Sequence, residues 1–118
     1  MSLKKTFGNA FRGVWIYITG ESNNRIHLPA VALVIVAGIF FSIDPVEWLF
    51  LLFSIGLVLT SEAFNFTLEK LCDELHSEYN ERIRMVKDIS AGAVLIATII
   101  SVIIGLIIFL PKVIELLF

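Results

Sequence analysis

The sequence predicts an all-α membrane protein in one domain, residues 1–118, with a surface helix over about 3–20 and transmembrane helices over about 26–43, 46–71 and 88–110. Three observations carry this prediction. Apolar residues make up 58% of only 118 positions, and the mean hydropathy is +0.90. A soluble domain of that size has too little interior to hide so much hydrocarbon. The apolar residues also fall in long runs separated by short polar breaks, as bilayer-spanning helices require. Finally, the basic residues collect on one side of the resulting topology.

The first element, Leu3 to about Gly20, repeats apolar residues at Phe7, Phe11, Val14 and Ile18, with Asn9 and Arg12 turned elsewhere. That period describes an amphipathic helix, and Trp15 and Tyr17 suit headgroup depth, so the helix is expected to lie on the membrane. Lys4 and Lys5 are followed by no continuous apolar run before Asn9 and Arg12, so no secretory signal is expected. The run Leu28 to Ile43 is almost wholly apolar. It is short for a span, so the polar residues before it are expected to extend the helix, with Pro29 tolerated near its start. Asp44-Pro45 breaks the chain in a turn. Val46 to about Leu71 forms the next helix, with Trp48 anchoring its start. Asp73 to Lys87 is a polar loop or helix extension. Ile89 to Leu110 is the last span, ending at Pro111-Lys112.

Lys4, Lys5, Arg12, Arg25, Lys70, Arg82, Arg84 and Lys87 all lie on one side of this arrangement, and only Lys112 on the other. The positive-inside rule puts the N-terminus and second loop in the cytoplasm and the Asp44 turn outside. The formal net charge of −2 provides no field to attract nucleic acid. A single cysteine, Cys72, excludes a disulfide frame or cysteine metal site within the chain and reads as a small apolar filler. Ala93, Ala97, Ser101 and Gly105 recur every fourth residue, a spacing that lets backbones approach closely in lipid. Packing within the protomer and packing between protomers explain them equally well.

The chemistry is expected where polar residues enter the bilayer. Glu62 lies ~22 Å of helix from Glu47 at the outer end, and an ionisable group at that depth is a functional-site candidate. Asn65, Glu69 and Asp73 follow on the same helical stripe, which climbs from membrane depth to the cytosolic interface. Glu21 before the first span and Lys87-Asp88 before the third lie at the same membrane face. Carboxylates suit Mg²⁺, a lysine suits phosphate, and a deep carboxylate can accept a proton from a hydroxyl. A nearby metal and Lys87 are expected to keep Glu62 ionised. The chain has no phosphate-binding glycine loop of the P-loop or dinucleotide type. The residues alone leave ion translocation and catalysis open for Glu62.

The run Glu62-Ala63-Phe64-Asn65-Phe66-Thr67-Leu68-Glu69-Lys70-Leu71-Cys72-Asp73 resembles the E-x-x-N-[ST]-A-[IV]-E-x-x-x-D signature of prokaryotic diacylglycerol and undecaprenol kinases. Ala10-Phe11-Arg12-Gly13, Glu21-x-Asn23-x-Arg25-Ile26-His27, Ser77-Glu78-Tyr79 and Lys87-Asp88-x-x-Ala91-Gly92-Ala93-Val94 match the same family in order and spacing. The resemblance implies an ATP- and Mg²⁺-dependent lipid kinase of a prokaryotic inner or plasma membrane, a homotrimer with active sites shared between neighbours. It casts Glu62 as general base toward a lipid hydroxyl, with Asn65 and Arg25 on the lipid side. Glu21 and Glu69 would hold the metal. Asn9, Arg12, Glu78, Tyr79, Asn80, Lys87 and Asp88, together with the metal ligands, would serve the nucleotide.

Phe66 and Thr67 depart from the signature, which bears on the lipid pocket, and Asn80 stands where histidine is common. Beside the functional readings, Arg25 and His27 are equally explained as snorkelling anchors, and Asp73 as a pairing or capping residue. The competing function is a small oligomeric proton-coupled transporter built on Glu62. It would leave Glu21, Glu69, Lys87 and Asp88 idle. Whether the acceptor is diacylglycerol or undecaprenol is not legible in these residues.

Overall fold

A computed structural model describes residues 2–20, 24–75, 78 and 80–118, with the backbone alone for residues 24–26. Four helices follow in order: α1 (Leu3–Thr19), α2 (Asn24–Phe40), α3 (Pro45–Leu75) and α4 (Glu81–Leu117). Among the described residues there is no strand. Helices α3 and α4 are long and apolar enough to cross a membrane, whereas the apolar part of α2, His27–Phe40, is shorter. At 1.5 Å per residue, the 31 residues of α3 and 37 of α4 outrun a hydrocarbon core of ~30 Å. Their surplus turns carry the polar residues from Glu69 to Leu75 and from Glu81 to Asp88.

The starts of α1, α3 and α4 each have a local cause. Ser2 caps α1 by accepting the Lys5 amide at 3.3 Å. Asp44 and Glu47 form a reciprocal capping box on α3, with Asp44 Oδ1 accepting the Glu47 amide at 2.8 Å and Glu47 Oε1 accepting the Asp44 amide at 3.2 Å. Asn80 caps α4 through Oδ1, which accepts the Arg82 and Ile83 amides at 2.9 and 3.3 Å. Such caps satisfy amides that have no partner in the first turn.

The chain reverses after α2 through Ser42, whose φ of 50° is left-handed. The Ser42 amide donates to Ile39 O and the Ile43 amide to Gly38 O, both at 3.1 Å, the two bonds of a Schellman motif. At the other end of α4 the helix differs from expectation. It continues through Pro111 to Leu117, so Pro111-Lys112 is not a stop. Proline removes one amide donor and crowds the preceding turn, yet the hydrogen bonds beyond it persist, the last from Phe118 to Ile114.

Helices α3 and α4 form a long antiparallel hairpin. Three contacts along its length set the register: Lys112 Nζ with Glu47 Oε2, Ser101 Oγ donating to Ser54 O at 3.2 Å, and Lys87 Nζ with Asp73 Oδ1 at 2.7 Å. Ala97 and Ser54, both buried, let the backbones close together between them. The apolar core lies near the Asp44 turn, where Ile43, Leu51 and Ile108 pack with Val34, Trp48 and Phe109. Most large apolar side chains elsewhere are exposed, leaving their faces for lipid or other protein.

Candidate active site

Glu62 is 7% exposed within α3, and a buried carboxylate needs donors. It has two. His27 Nε2, from α2, lies 3.0 Å from Oε1, and the Tyr17 hydroxyl, from α1, donates to Oε2 at 3.3 Å. Three helices therefore meet at one carboxylate. Tyr17 is the one described residue of α1 that is not exposed. Its phenol is pushed up from the ordinary 10.0 to about 12, first by burial and then by the Glu62 charge and hydrogen bond. The Phe66 ring lies 6.4 Å from the Tyr17 ring, and Lys70 Nζ sits 5.5 Å over Phe66. The bulky Phe66 thus helps seat α1 on α3.

These contacts change two readings. Tyr17, expected at headgroup depth, turns inward toward Glu62, whereas Trp15 is 68% exposed. His27 turns toward Glu62 and does not snorkel. No sequence spacing joins positions 17, 27 and 62, because the turns between helices set their relative rotation. A phenol and an imidazole on either side of the start of α2, with a carboxylate inside the apolar α3, were the available signal.

Higher on α3, Asn65 Oδ1 is buried without a hydrogen-bond partner among the described residues. It faces an α3–α4 cleft of about 580 Å³ that also contains Ser61, Ile89 and Ser90. Glu69 is exposed, one turn below Asp73. The Lys87 ammonium is raised above its ordinary value, chiefly by its hydrogen bond to Asp73, with the charges of Asp73 and Glu69 adding. Asp73 is therefore a pairing residue that holds Lys87 at the polar end of the hairpin. The expected pairing of Lys87 with Glu62 is not formed, because Lys87 bonds Asp73, ~16 Å further along α3; the groups beside Glu62 are His27 and Tyr17. Cys72 is buried, in keeping with an apolar filler.

Asp88 lies 3.4 Å from Arg84, one turn away on α4 and equally exposed. Asn80 spends Oδ1 on the helix cap. Asn9 and Arg12 are exposed on α1, and Glu78 is exposed between α3 and α4. Glu21 and Tyr79 lie outside the described residues, as does the Arg25 side chain. Among the described residues no three metal-ligating side chains converge. Mg²⁺ commonly takes one or two carboxylates and completes its shell with water and phosphate oxygens, so Glu69 fits as one ligand.

An apolar groove of about 360 Å³ runs between α1, α2 and α3 beside this site, lined by Val14, Tyr17, Ile18, Leu59, Ala63 and Phe64. It places hydrocarbon-compatible surface next to a carboxylate, with a phosphate-compatible cation further along the same helix pair. The family model of prokaryotic diacylglycerol kinase matches residues 8–109, which contain all of these groups. The chain belongs to the prokaryotic diacylglycerol kinase family. It is 34% identical to an undecaprenol kinase of Bacillus subtilis strain 168, over 92% of this chain and 88% of that protein. It is 32% identical to a diacylglycerol kinase of Escherichia coli K12, over 84% and 81%. A diacylglycerol kinase of Synechocystis is also 32% identical, over 98% of this chain and 66% of that protein. Membership in this family of lipid kinases makes phosphoryl transfer to a lipid the reaction class, and the transporter reading finds no support.

Proposed function

We propose that this prokaryotic diacylglycerol kinase family member transfers the γ-phosphoryl group of ATP to the hydroxyl of a membrane lipid alcohol, diacylglycerol or undecaprenol. The observation that carries the reading is a buried Glu62, held by two donors, beside an apolar groove. An acyl or prenyl chain in that groove brings a terminal hydroxyl to the carboxylate. Glu62 accepts the hydroxyl proton as the oxygen forms its bond to the γ-phosphorus, and the bond from phosphorus to the β-bridging oxygen breaks. Most of the rate in such transfers comes from positioning and charge neutralisation.

Asn65, with its buried unpartnered oxygen, orients the hydroxyl by accepting from it or through water, and Arg25 acts on the lipid side. Glu69 and Glu21 are the residues we assign to hold Mg²⁺, which would supply positive charge to offset that of the phosphate. Lys87 and Asp88 serve phosphate and ribose, while Asn9, Arg12, Glu78, Tyr79 and Asn80 complete the nucleotide surface. For Asn80, the amide nitrogen is the group the helix cap leaves for this role.

We also propose that α2, extended at both ends, makes a third crossing, that the N-terminus and the α3–α4 turn face the cytoplasm of a prokaryotic inner membrane, and that three chains assemble with shared sites. The charge asymmetry of the loops and the extent of exposed apolar surface support these proposals.

Incubation of purified protein with radiolabelled ATP, Mg²⁺ and a panel of lipid alcohols tests the function, and the preferred acceptor emerges from the same panel. Glu62→Gln is expected to keep nucleotide binding and oligomeric state while losing at least about a hundredfold in kcat, within the usual range for a general base. Near-normal turnover in that variant excludes Glu62 as the base.

A further inference from the structure

Each oxygen of Glu62 accepts one contact, and the contact on Oε2 comes from the side of the apolar groove by which a lipid hydroxyl would arrive. The two contacts differ. His27 Nε2 approaches Oε1 at 3.0 Å from α2, whereas the Tyr17 hydroxyl is further away, 3.3 Å from Oε2. Tyr17 is also a wall of the apolar groove, and its helix lies on the outside of the bundle with its other described residues exposed. His27 belongs instead to the cleft among α2, α3 and α4, alongside Val58, Thr98 and Ser101. A molecule entering the groove meets Tyr17 and leaves His27 covered.

We propose that His27 is a positioning residue that fixes the Glu62 carboxylate through Oε1, while the Tyr17 hydroxyl occupies on Oε2 the place that the lipid hydroxyl takes. The proposal rests on the reading of Glu62 as the base. An alcohol hydroxyl, like a phenol, donates one hydrogen bond to a carboxylate oxygen, so the exchange leaves the buried charge with a donor before and after it. The groove then presents the alcohol to the freed oxygen. His27 prevents the carboxylate from rotating to follow the departing phenol, and pre-organisation of this kind favours the transition state.

Steady-state kinetics on the full chain, with ATP and lipid varied separately, test the proposal. His27→Leu is expected to lower kcat about ten- to hundredfold, the weight of one hydrogen bond to a charged group. The KM for ATP stays within about twofold, as expected for a change confined to the reacting carboxylate. His27→Gln, which keeps a donor in the same place, recovers most of the loss. Tyr17→Phe is expected to lower the KM for the lipid alcohol, because the competing hydroxyl is gone. A His27→Leu enzyme with unaltered kcat, a His27→Gln enzyme no better than His27→Leu at equal thermal stability, or a Tyr17→Phe enzyme with a collapsed kcat overturns the proposal. Glu62→Gln in the same assay separates the two readings: if it retains turnover, the base assignment itself fails. If it is inactive while His27→Leu is normal, only the positioning role fails.

Discussion

Tyr17 reports the state of the site without any turnover. Its neutral phenol is the form that donates to Glu62, and its pKa is raised from 10.0 to about 12. The contribution of this contact is therefore fully present below pH 10.0 and is lost as the pH rises through about 12. The chain has two tyrosines, so in a Tyr79→Phe background the tyrosinate absorbance belongs to Tyr17 alone. It is expected to titrate near pH 12, and at lower pH when Glu62→Gln removes the negative charge. An unchanged titration in that double variant would show that Glu62 does not face Tyr17. The carboxylate ladder on α3 was legible from spacing alone, because residues on one helix share a fixed rotation. The partners of Glu62 were not legible, since they come from two other helices.

At the scale of elements, the α2–α3 turn combines a serine in left-handed backbone with a glycine under an aromatic ring. Ser42→Gly relieves the Cβ strain of the φ of 50° and is expected to stabilise the protein by about 1 kcal/mol, read as a higher unfolding temperature in detergent. Gly38→Ala separates two effects of opposite sign. Helix propensity alone would reward it by about 1 kcal/mol. A Cβ at Gly38, however, would lie 2.7 Å from Trp48 Cη2 and 3.2 Å from Ile43 Cδ1. The clash is expected to win, with a net loss of about 1–2 kcal/mol and a lower unfolding temperature. The Asp44-Pro45 break was legible because proline and capping residues act locally. The passage of α4 through Pro111 was not, because packing along the hairpin outweighs one missing amide bond.

For the whole molecule, the α3–α4 hairpin is the frame on which the shorter α1 and α2 hang. Small residues at every fourth position of α4 left two packing partners open, and the structure assigns the middle of that stripe to α3. Ala97 is 3% exposed and Ser101 bonds to the Ser54 carbonyl, whereas Ala93 is exposed. Ala97→Leu is expected to wedge α3 and α4 apart and cost about 1–3 kcal/mol, measured as thermal stability of the protein in micelles. Ala93→Leu is expected to cost less than half as much in the same measurement.

Hydropathy, loop charge and the period of the polar residues determined by themselves that the chain is a helical membrane protein whose acidic stripe rises along one helix. They are properties of local sequence, and the bilayer reads them one helix at a time. Only the tertiary structure decided that His27 and Tyr17 meet Glu62 and that Lys87 meets Asp73. Those pairings depend on how each helix is rotated and slid against its neighbours. Contacts spread along whole helix faces set that rotation, and no single stretch of residues encodes it.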